Sequence, residues 1–149
     1  ETKREEFLAI YTRNLCKETQ LFPGILEVIS ELEIRKISWG IVTNKPSRFT
    51  LPLLQALELK QRAAVIVSGD DTHYCKPHPE PLLVACRRIN TPPQNCLYLG
   101  DDIRDVQASR AAGMTPIIAS YGYLGSHSSP DTWGADGIIK YPVNLLEYI

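Results

Sequence analysis

An acidic cluster in the second half of the chain has the residue types and spacing that hold a divalent cation. Asp101 follows an apolar segment at 96–99 and Gly100, and Asp105 lies one helical turn further on, on the same side. Grouped carboxylates suit Mg²⁺, which binds through one or two of them and keeps water and phosphate oxygens. Acidic residues that complement a helix dipole are the alternative for Asp102 and Asp105, but not for Asp101 at a strand end. We predict a magnesium site at Asp101, Asp105 and Asp102.

Two other segments could hold a phosphate group. Thr43-Asn44-Lys45 lies between an apolar segment and a predicted helix, where a hydroxyl, an amide and backbone N–H groups can cradle an anion. Thr and Asn are also common turn and cap residues. Lys76 precedes Pro77, whose stiff backbone would reduce the entropy lost when the ammonium is ordered against a phosphate or carboxylate. A solvated loop lysine is the simpler alternative. We predict phosphate binding by Thr43, Asn44 and Lys76.

The remaining candidate ligands do not form a site. The three histidines lie apart in sequence, without metal-ligand spacing: His73, His78 and His127. The four cysteines contain no C-x-x-C pair and are predicted to be free thiols in a reducing compartment: Cys16, Cys75, Cys86 and Cys96.

Apolar strands alternate with amphipathic helices along the chain. The pattern predicts helices at 1–18, 25–32, 47–58, from Pro79 onward, at 102–112 and from about 142. It predicts strands at 37–43, 64–67, 96–99, 115–119 and 137–139. This alternation indicates an α/β fold with a doubly wound, mostly parallel sheet. Ligands bind at the carboxyl ends of such strands, so the three motifs should meet there.

Composition excludes several classes of function. The chain has 149 residues, and its 16 basic and 17 acidic side chains leave a net charge of −1 rather than the basic surplus typical of nucleic-acid binding. No run approaches the roughly 18 apolar residues of a membrane span. We expect a cytoplasmic monomer or homodimer whose partner is a small phosphorylated metabolite. The chain opens at Glu1 within a charged stretch, and we interpret it as part of a longer protein.

The three motifs, taken in order, resemble the second, third and fourth motifs of the haloacid dehalogenase superfamily. They are Thr43-Asn44-Lys45, Lys76-Pro77 and Gly100-Asp101-Asp102-x-x-Asp105. The resemblance covers roughly residue 20 to the end and is strongest to the phosphoglycolate phosphatase group. Two further segments resemble a bacterial branch that includes N-acetylmuramic acid 6-phosphate phosphatases: Tyr121-Gly122-Tyr123 and Trp133-Gly134-Ala135-Asp136.

The resemblance implies a Rossmann-like core over residues 19–149, preceded at 1–18 by the last helix of a cap domain. It implies an Mg²⁺-dependent phosphomonoester hydrolase of the phosphoglycolate phosphatase type that works through an aspartyl phosphate. Thr43 and Lys76 would be catalytic: Thr43, with Asn44 beside it, would bind the phosphoryl group, and Lys76 would neutralise its charge. Asp101 would bind Mg²⁺, with Asp105 and Asp102 holding its waters.

One family motif is missing. The family's first motif, D-x-D-G-T, supplies the aspartate nucleophile and the general acid/base, and no D-x-D precedes Thr43. In the family that motif ends the central strand, between the strands that here end at Thr43 and Leu99. We therefore expect the chain alone to be inactive. The gap between those two strands should close, be filled by another segment, or promote association.

Other functions remain open at this point. Within the superfamily they are an N-acetylmuramic acid 6-phosphate or other sugar-phosphate phosphatase, a sugar-phosphate mutase, a phosphonate hydrolase and a 2-haloacid dehalogenase. The acidic cluster counts against the dehalogenase, which needs no metal. A catalytically inactive phosphate- and Mg²⁺-binding fragment is an alternative of another class. A nucleotide-binding domain is disfavoured because no G-x-G-x-x-G follows a strand.

Overall fold

The computed structural model describes residues 20–125 and 128–149, so the predicted helix and cap remnant at 1–18 lie outside the described residues. The regular elements are α1 (Ile25–Ile34), β1 (Gly40–Val42), α2 (Ser47–Ala56), β2 (Val65–Val67), α3 (Glu80–Arg88), β3 (Leu97–Gly100), α4 (Ile103–Ala112), β4 (Thr115–Ala119) and β5 (Gly137–Ile139). Short 3₁₀ helices span Pro93–Asn95, Pro130–Thr132 and Pro142–Tyr148. Across these two ranges, no helix is both long and apolar enough to cross a membrane.

The five strands are all paired in parallel and form two sheets. β1 pairs with β2 in one sheet, and β3, β4 and β5 pair in that order in the other. The predicted α/β fold with parallel strands is confirmed. The division into two sheets differs from a single continuous sheet because β1 and β3 are not hydrogen-bonded neighbours. This break lies between β1 and β3, the two strands between which we expected a gap in the sheet.

Helices cover both faces of the three-stranded sheet. Successive residues of β4 point to opposite faces. Ile117 packs with Val28 and Leu32 of α1, whereas Ile118 packs with Val106 of α4. Both isoleucines are almost fully buried. The apolar run from Pro116 to Ala119 in β4 is therefore explained by helices on its two sides, as in a doubly wound fold.

Two predicted elements differ from the structure. The strand predicted at 37–43 is reduced to Gly40–Val42, because the Ile37 backbone N–H donates to the carbonyl oxygen of Leu32 and closes the end of α1. The terminal segment from Pro142 is a 3₁₀ helix rather than an α-helix. The apolar periodicity located both segments but could not separate a helix end from a strand start.

Candidate active site

A polar cavity of about 300 Å³ lies where the segments that follow β1, β2 and β3 meet. Its lining contains all six predicted site residues and two more: Thr43, Asn44, Lys45, Lys76, Asp101, Asp102, Arg104 and Asp105. Parallel strands bring their carboxyl ends to one edge, which is why residues more than 60 positions apart in the printed sequence line one cavity.

The Lys76 ammonium is the most tightly held charge in the cavity. Its Nζ lies 2.6 Å from Asp105 Oδ1, 2.8 Å from the Tyr98 hydroxyl and 3.2 Å from the Val42 carbonyl oxygen. The Lys76 and Asp105 side chains are only 11% and 9% exposed. An ammonium has three donors, so each N–H of Lys76 has an acceptor and the group is oriented.

Burial and partner groups act in opposite directions on Lys76. Burial lowers the pKa of the ammonium, but interactions with Tyr98 and Asp105 more than offset it, and the pKa lies above the ordinary value of 10.5. Burial also raises the pKa of the Tyr98 hydroxyl. At neutral pH the site therefore contains a lysine cation beside a neutral tyrosine.

Asn44 fixes the backbone of Lys76. Its Oδ1 accepts from the Lys76 N–H and its Nδ2 donates to the Lys76 carbonyl oxygen, both at 3.0 Å. The Thr43 hydroxyl accepts from the Lys45 N–H at 3.1 Å, the turn bond expected of a threonine after a strand. As a donor, that hydroxyl has no acceptor among the residues the structure describes.

Asp105 joins the lysine to the loop after β3. Its Oδ2 accepts from the backbone N–H groups of Asp101 and Asp102, both at 3.1 Å, while Oδ1 faces Lys76. A Cβ on Gly100 would overlap the Asp105 carboxylate, so only glycine allows the carboxylate to lie against this turn. Asp105 thus positions Lys76 and the turn together.

Asp102 caps α4. Its side chain accepts from the Arg104 N–H at 2.8 Å and forms a capping box with Asp105. Arg104 also donates from Nε to Oδ1 at 2.9 Å and from Nη2 to Oδ2 at 3.2 Å. These hydrogen bonds hold the pKa of the Asp102 carboxyl below its usual value. The capping alternative for Asp102 therefore has direct structural support.

Asp101 has the most available carboxylate of the cluster. Its Oδ2 accepts from the Tyr123 N–H at 2.9 Å, and Oδ1 accepts no hydrogen bond within the described residues. A Cβ on Gly122 would lie 2.5 Å from the Asp101 Cβ and Oδ2, so the Gly122-Tyr123 backbone approaches Asp101 closely. This contact holds the carboxylate in one orientation beside the cavity.

The donor set suits a cation that takes few protein ligands. No cluster of three or more His, Cys, Asp or Glu suited to a metal occurs in the part of the chain described here. Mg²⁺ needs only one or two carboxylates when water and phosphate complete its shell. Asp101 can provide one, and a carboxylate accepts about four hydrogen bonds. Asp105 and Asp102 each accept three, which leaves capacity for a metal-bound water.

Sequence reasoning missed three contributors to this cavity. Tyr98 holds Lys76, Arg104 holds Asp102, and the Tyr123 amide holds Asp101. Tyr98 carried a usable signal, because a tyrosine in an otherwise apolar strand needs a partner for its hydroxyl. The Tyr123 amide carried none, since any residue type supplies a backbone N–H.

Comparison with known proteins gives a consistent result. A family model for haloacid dehalogenase-like hydrolases matches residues 1–119. The chain is 39% identical over 149 residues to N-acetylmuramic acid 6-phosphate phosphatase of Pseudomonas putida, covering 100% of this chain and 67% of that protein. It is 43% identical over 142 residues to phosphoglycolate phosphatase of Xanthomonas campestris pv. campestris, covering 95% of this chain and 64% of that protein.

A solved structure agrees with the sequence relatives. The crystal structure of a protein named a predicted phosphoglycolate phosphatase from Haemophilus somnus 129PT superposes with a TM-score of 0.90 at 26% identity, covering 97% of this chain and 64% of that one. The chain spans about two thirds of the length of these relatives. The resemblance inferred from the motifs is confirmed, and the family match begins at residue 1 rather than near residue 20. This chain belongs to the haloacid dehalogenase-like hydrolase family.

Proposed function

We propose that this chain carries the phosphate- and metal-binding residues of an Mg²⁺-dependent phosphomonoester hydrolase of the phosphoglycolate phosphatase type. The observation that carries the proposal is the oriented, charged Lys76 in the same cavity as the open oxygen of Asp101. The names of the relatives support a phosphatase acting on a small phosphorylated metabolite. Residues 19–149 would form its core domain, and residues 1–18 would be the last helix of a cap.

Lys76 would neutralise charge on the phosphate. Its contact with the Val42 carbonyl oxygen is the longest of the three, at 3.2 Å, and a phosphate oxygen would replace it. The ion pair with Asp105 would keep the ammonium aimed at the cavity during this exchange. Electrostatic stabilisation by a group held in place in advance needs no reorganisation when charge develops.

Thr43 and Asn44 would complete the phosphate site from the loop after β1. The Thr43 hydroxyl accepts from the Lys45 N–H, and among the described residues its own hydrogen has no acceptor, so it could be donated to a phosphate oxygen. Asn44 would act mainly through Lys76, whose backbone its amide already holds on both sides. A one-ångström displacement of such a group can cost a large factor in rate.

Asp101 would hold Mg²⁺, with Asp105 and Asp102 holding its waters. When bound, the ion would supply positive charge that polarises the phosphoryl oxygens and orients the substrate. Asp101 suits this role because its Oδ2 is held by the Tyr123 N–H while Oδ1 remains available. Loss of the Asp101 carboxylate should therefore weaken metal binding without disturbing the Lys76–Asp105 ion pair.

An N-acetylmuramic acid 6-phosphate phosphatase is the second candidate. The relative of that name matches 149 residues of the chain, and the phosphoglycolate phosphatase matches 142. Both substrates are phosphomonoesters, and the residues that line the cavity would serve either one. A competition experiment, in which phosphoglycolate and N-acetylmuramic acid 6-phosphate compete for the cavity of the purified chain, would show which of the two binds more tightly.

Phosphate binding by the purified chain tests the proposal. We expect inorganic phosphate to bind in the presence of Mg²⁺, followed by amide chemical shifts of Asn44, Lys76 and Asp101. Lys76→Met should weaken phosphate binding at least about tenfold, because a charge-assisted hydrogen bond is lost. Asp101→Asn should weaken Mg²⁺ binding instead.

Lys60→Met is the matched control, because it removes the same charge from an exposed position before β2, away from the cavity. An equal loss of phosphate affinity in Lys76→Met and in Lys60→Met would refute the proposed site. The proposed site would also be refuted if Lys76→Met fully retained phosphate binding and Asp101→Asn fully retained Mg²⁺ binding. Binding of phosphate and Mg²⁺ without turnover is expected of this chain, because it contains no D-x-D.

A further inference from the structure

Two cysteines outside the candidate active site lie in contact. Cys86 in α3 and Cys96, directly before β3, have their Sγ atoms 3.9 Å apart. Cys86 is 4% exposed and Cys96 is half-buried, and both thiols are free. The two sulfur atoms are at van der Waals distance, and a disulfide would bring them to roughly 2.05 Å.

The backbone on both sides of the pair is anchored. The Thr91 N–H donates to the Cys86 carbonyl oxygen, and the Thr115 N–H donates to the Cys96 carbonyl oxygen, both at 3.1 Å. The two sulfur atoms are therefore held near each other by the fold, since the cysteines are ten positions apart in sequence. The folded chain thus gives the second thiol a high effective concentration at the first.

A surface cavity of about 620 Å³ lies beside Cys86, and none of its lining residues lines the phosphate site. Cys86, Arg87 and Pro92 line it, and the Cys96 thiol lies 3.6 Å from the Pro92 carbonyl oxygen. The cavity gives a small molecule room beside Cys86, whose sulfur is in contact with that of Cys96. The Arg87 guanidinium suits a molecule that carries carboxylates.

We propose that Cys86 and Cys96 form a dithiol that small carboxylate-bearing disulfides oxidise to an intramolecular disulfide. In the first step, the Cys96 thiolate attacks one sulfur of the small disulfide, forms a mixed disulfide and releases one thiolate. In the second step, Cys86 loses its proton and attacks the Cys96 sulfur, which expels the second thiolate. The two protein thiols are oxidised by two electrons, and the small disulfide is reduced to two thiols.

The order of the steps follows from exposure. Cys96 is the more exposed residue of the pair. Burial, together with the neighbouring Cys96 thiol, raises the pKa of the Cys86 thiol to about 11, which makes Cys86 the poorer first nucleophile. The proposal is independent of phosphate binding, because neither cysteine lines the phosphate cavity.

Oxidation with glutathione disulfide tests the proposal in the full chain carrying Cys16→Ser and Cys75→Ser. We expect the folded protein to lose about 2 Da, the mass of two hydrogens, without a stable glutathione adduct. Tryptic digestion should link the peptide that ends at Arg87 to the peptide 89–104. The equilibrium constant for closure should fall at least about tenfold in denaturing urea, because the fold no longer holds the sulfur atoms together.

Two single variants separate the roles of the sulfur atoms. In the same background, Cys86→Ser should stop at a mixed disulfide on Cys96, and Cys96→Ser should react more slowly than Cys86→Ser. A stable glutathione adduct on Cys96 in the two-cysteine protein would contradict the proposal. So would absence of reaction while circular dichroism shows the native fold, or equal closure in buffer and in urea.

Discussion

The hydroxyl of Tyr98 donates a 2.8 Å hydrogen bond to the carbonyl oxygen of Val42. Tyr98 lies in β3 and Val42 ends β1, so this bond joins the two sheets. The Thr43 N–H bonds toward β2, and the preceding carbonyl of Val42 therefore faces the other way, toward β3. Lys76 Nζ donates to the same carbonyl at 3.2 Å. Two side chains thus satisfy a strand-edge acceptor that another strand would otherwise pair.

Tyr98→Phe should destabilise the chain by about 1–2 kcal/mol, because it removes one donor to Val42 and one acceptor from buried Lys76. Urea unfolding followed by circular dichroism measures the change. Tyr74→Phe is the matched control, since Tyr74 is 59% exposed and should unfold like the wild type. Equal stability of the two variants would show that the bond between the sheets contributes nothing.

The Lys76–Asp105 ion pair should show strong coupling. Lys76→Met and Asp105→Asn should each cost about 3–5 kcal/mol, because each leaves the other group buried without its counter-charge. The double variant should lose less than the sum of the two, and a double-mutant cycle measures the difference. Strict additivity would mean that the 2.6 Å contact is energetically unimportant.

Because of the Lys76–Asp105 ion pair, we expect the stability of the fold to depend on pH in the alkaline range. The pKa of Lys76 in the fold lies above its ordinary value of 10.5. A raised lysine pKa contributes stability that is fully present below the ordinary value, which applies to the unfolded chain, and is lost as pH rises through the folded-state value. The stability gap between wild type and Lys76→Met should therefore stay constant from neutral pH to about 10 and narrow above it. The difference in stability between wild type and Lys60→Met should not change with pH in this way.

Two substitutions of Asp102 separate capping from metal binding. Asp102→Ala should cost about 1 kcal/mol, whereas Asp102→Asn should be nearly neutral because asparagine is also a good N-cap. If Asp102 holds a metal-bound water through its charge, Asp102→Asn should weaken Mg²⁺ binding measured by calorimetry. Unchanged Mg²⁺ affinity in a fully stable Asp102→Asn would assign Asp102 to the cap alone.

The 149-residue chain should not hydrolyse p-nitrophenyl phosphate with Mg²⁺, because it contains no D-x-D to supply the nucleophile and the general acid/base. Positioned charge without a nucleophile gives only weak catalysis. Steady release of p-nitrophenol by a preparation of verified mass would contradict this. The rate should also be the same for Lys76→Met, which separates trace contamination from activity of this chain.

The sequence alone located most of the elements and predicted which residues would lie near one another. The alternation of apolar strands and amphipathic helices predicted the α/β class. The rule that ligands bind at the carboxyl ends of strands placed the predicted phosphate and metal residues together, and the cavity contains them all. Element ends were less predictable, as in the segment at 37–43, because a helix C-terminus and a strand start share apolar residues.

The sequence by itself determined the family, the order of elements and the residue types available for phosphate and Mg²⁺. The tertiary structure decided which oxygens remain available. Both oxygens of Asp105 and of Asp102 accept hydrogen bonds, whereas only one oxygen of Asp101 does so within residues 20–125 and 128–149. The tertiary structure also decided that Cys86 and Cys96 touch and that Tyr98 reaches Val42. The spacing of residues in the sequence indicates which of them can lie at the same edge of the sheet. The hydrogen bonds that backbone groups and distant side chains make depend instead on how the chain packs.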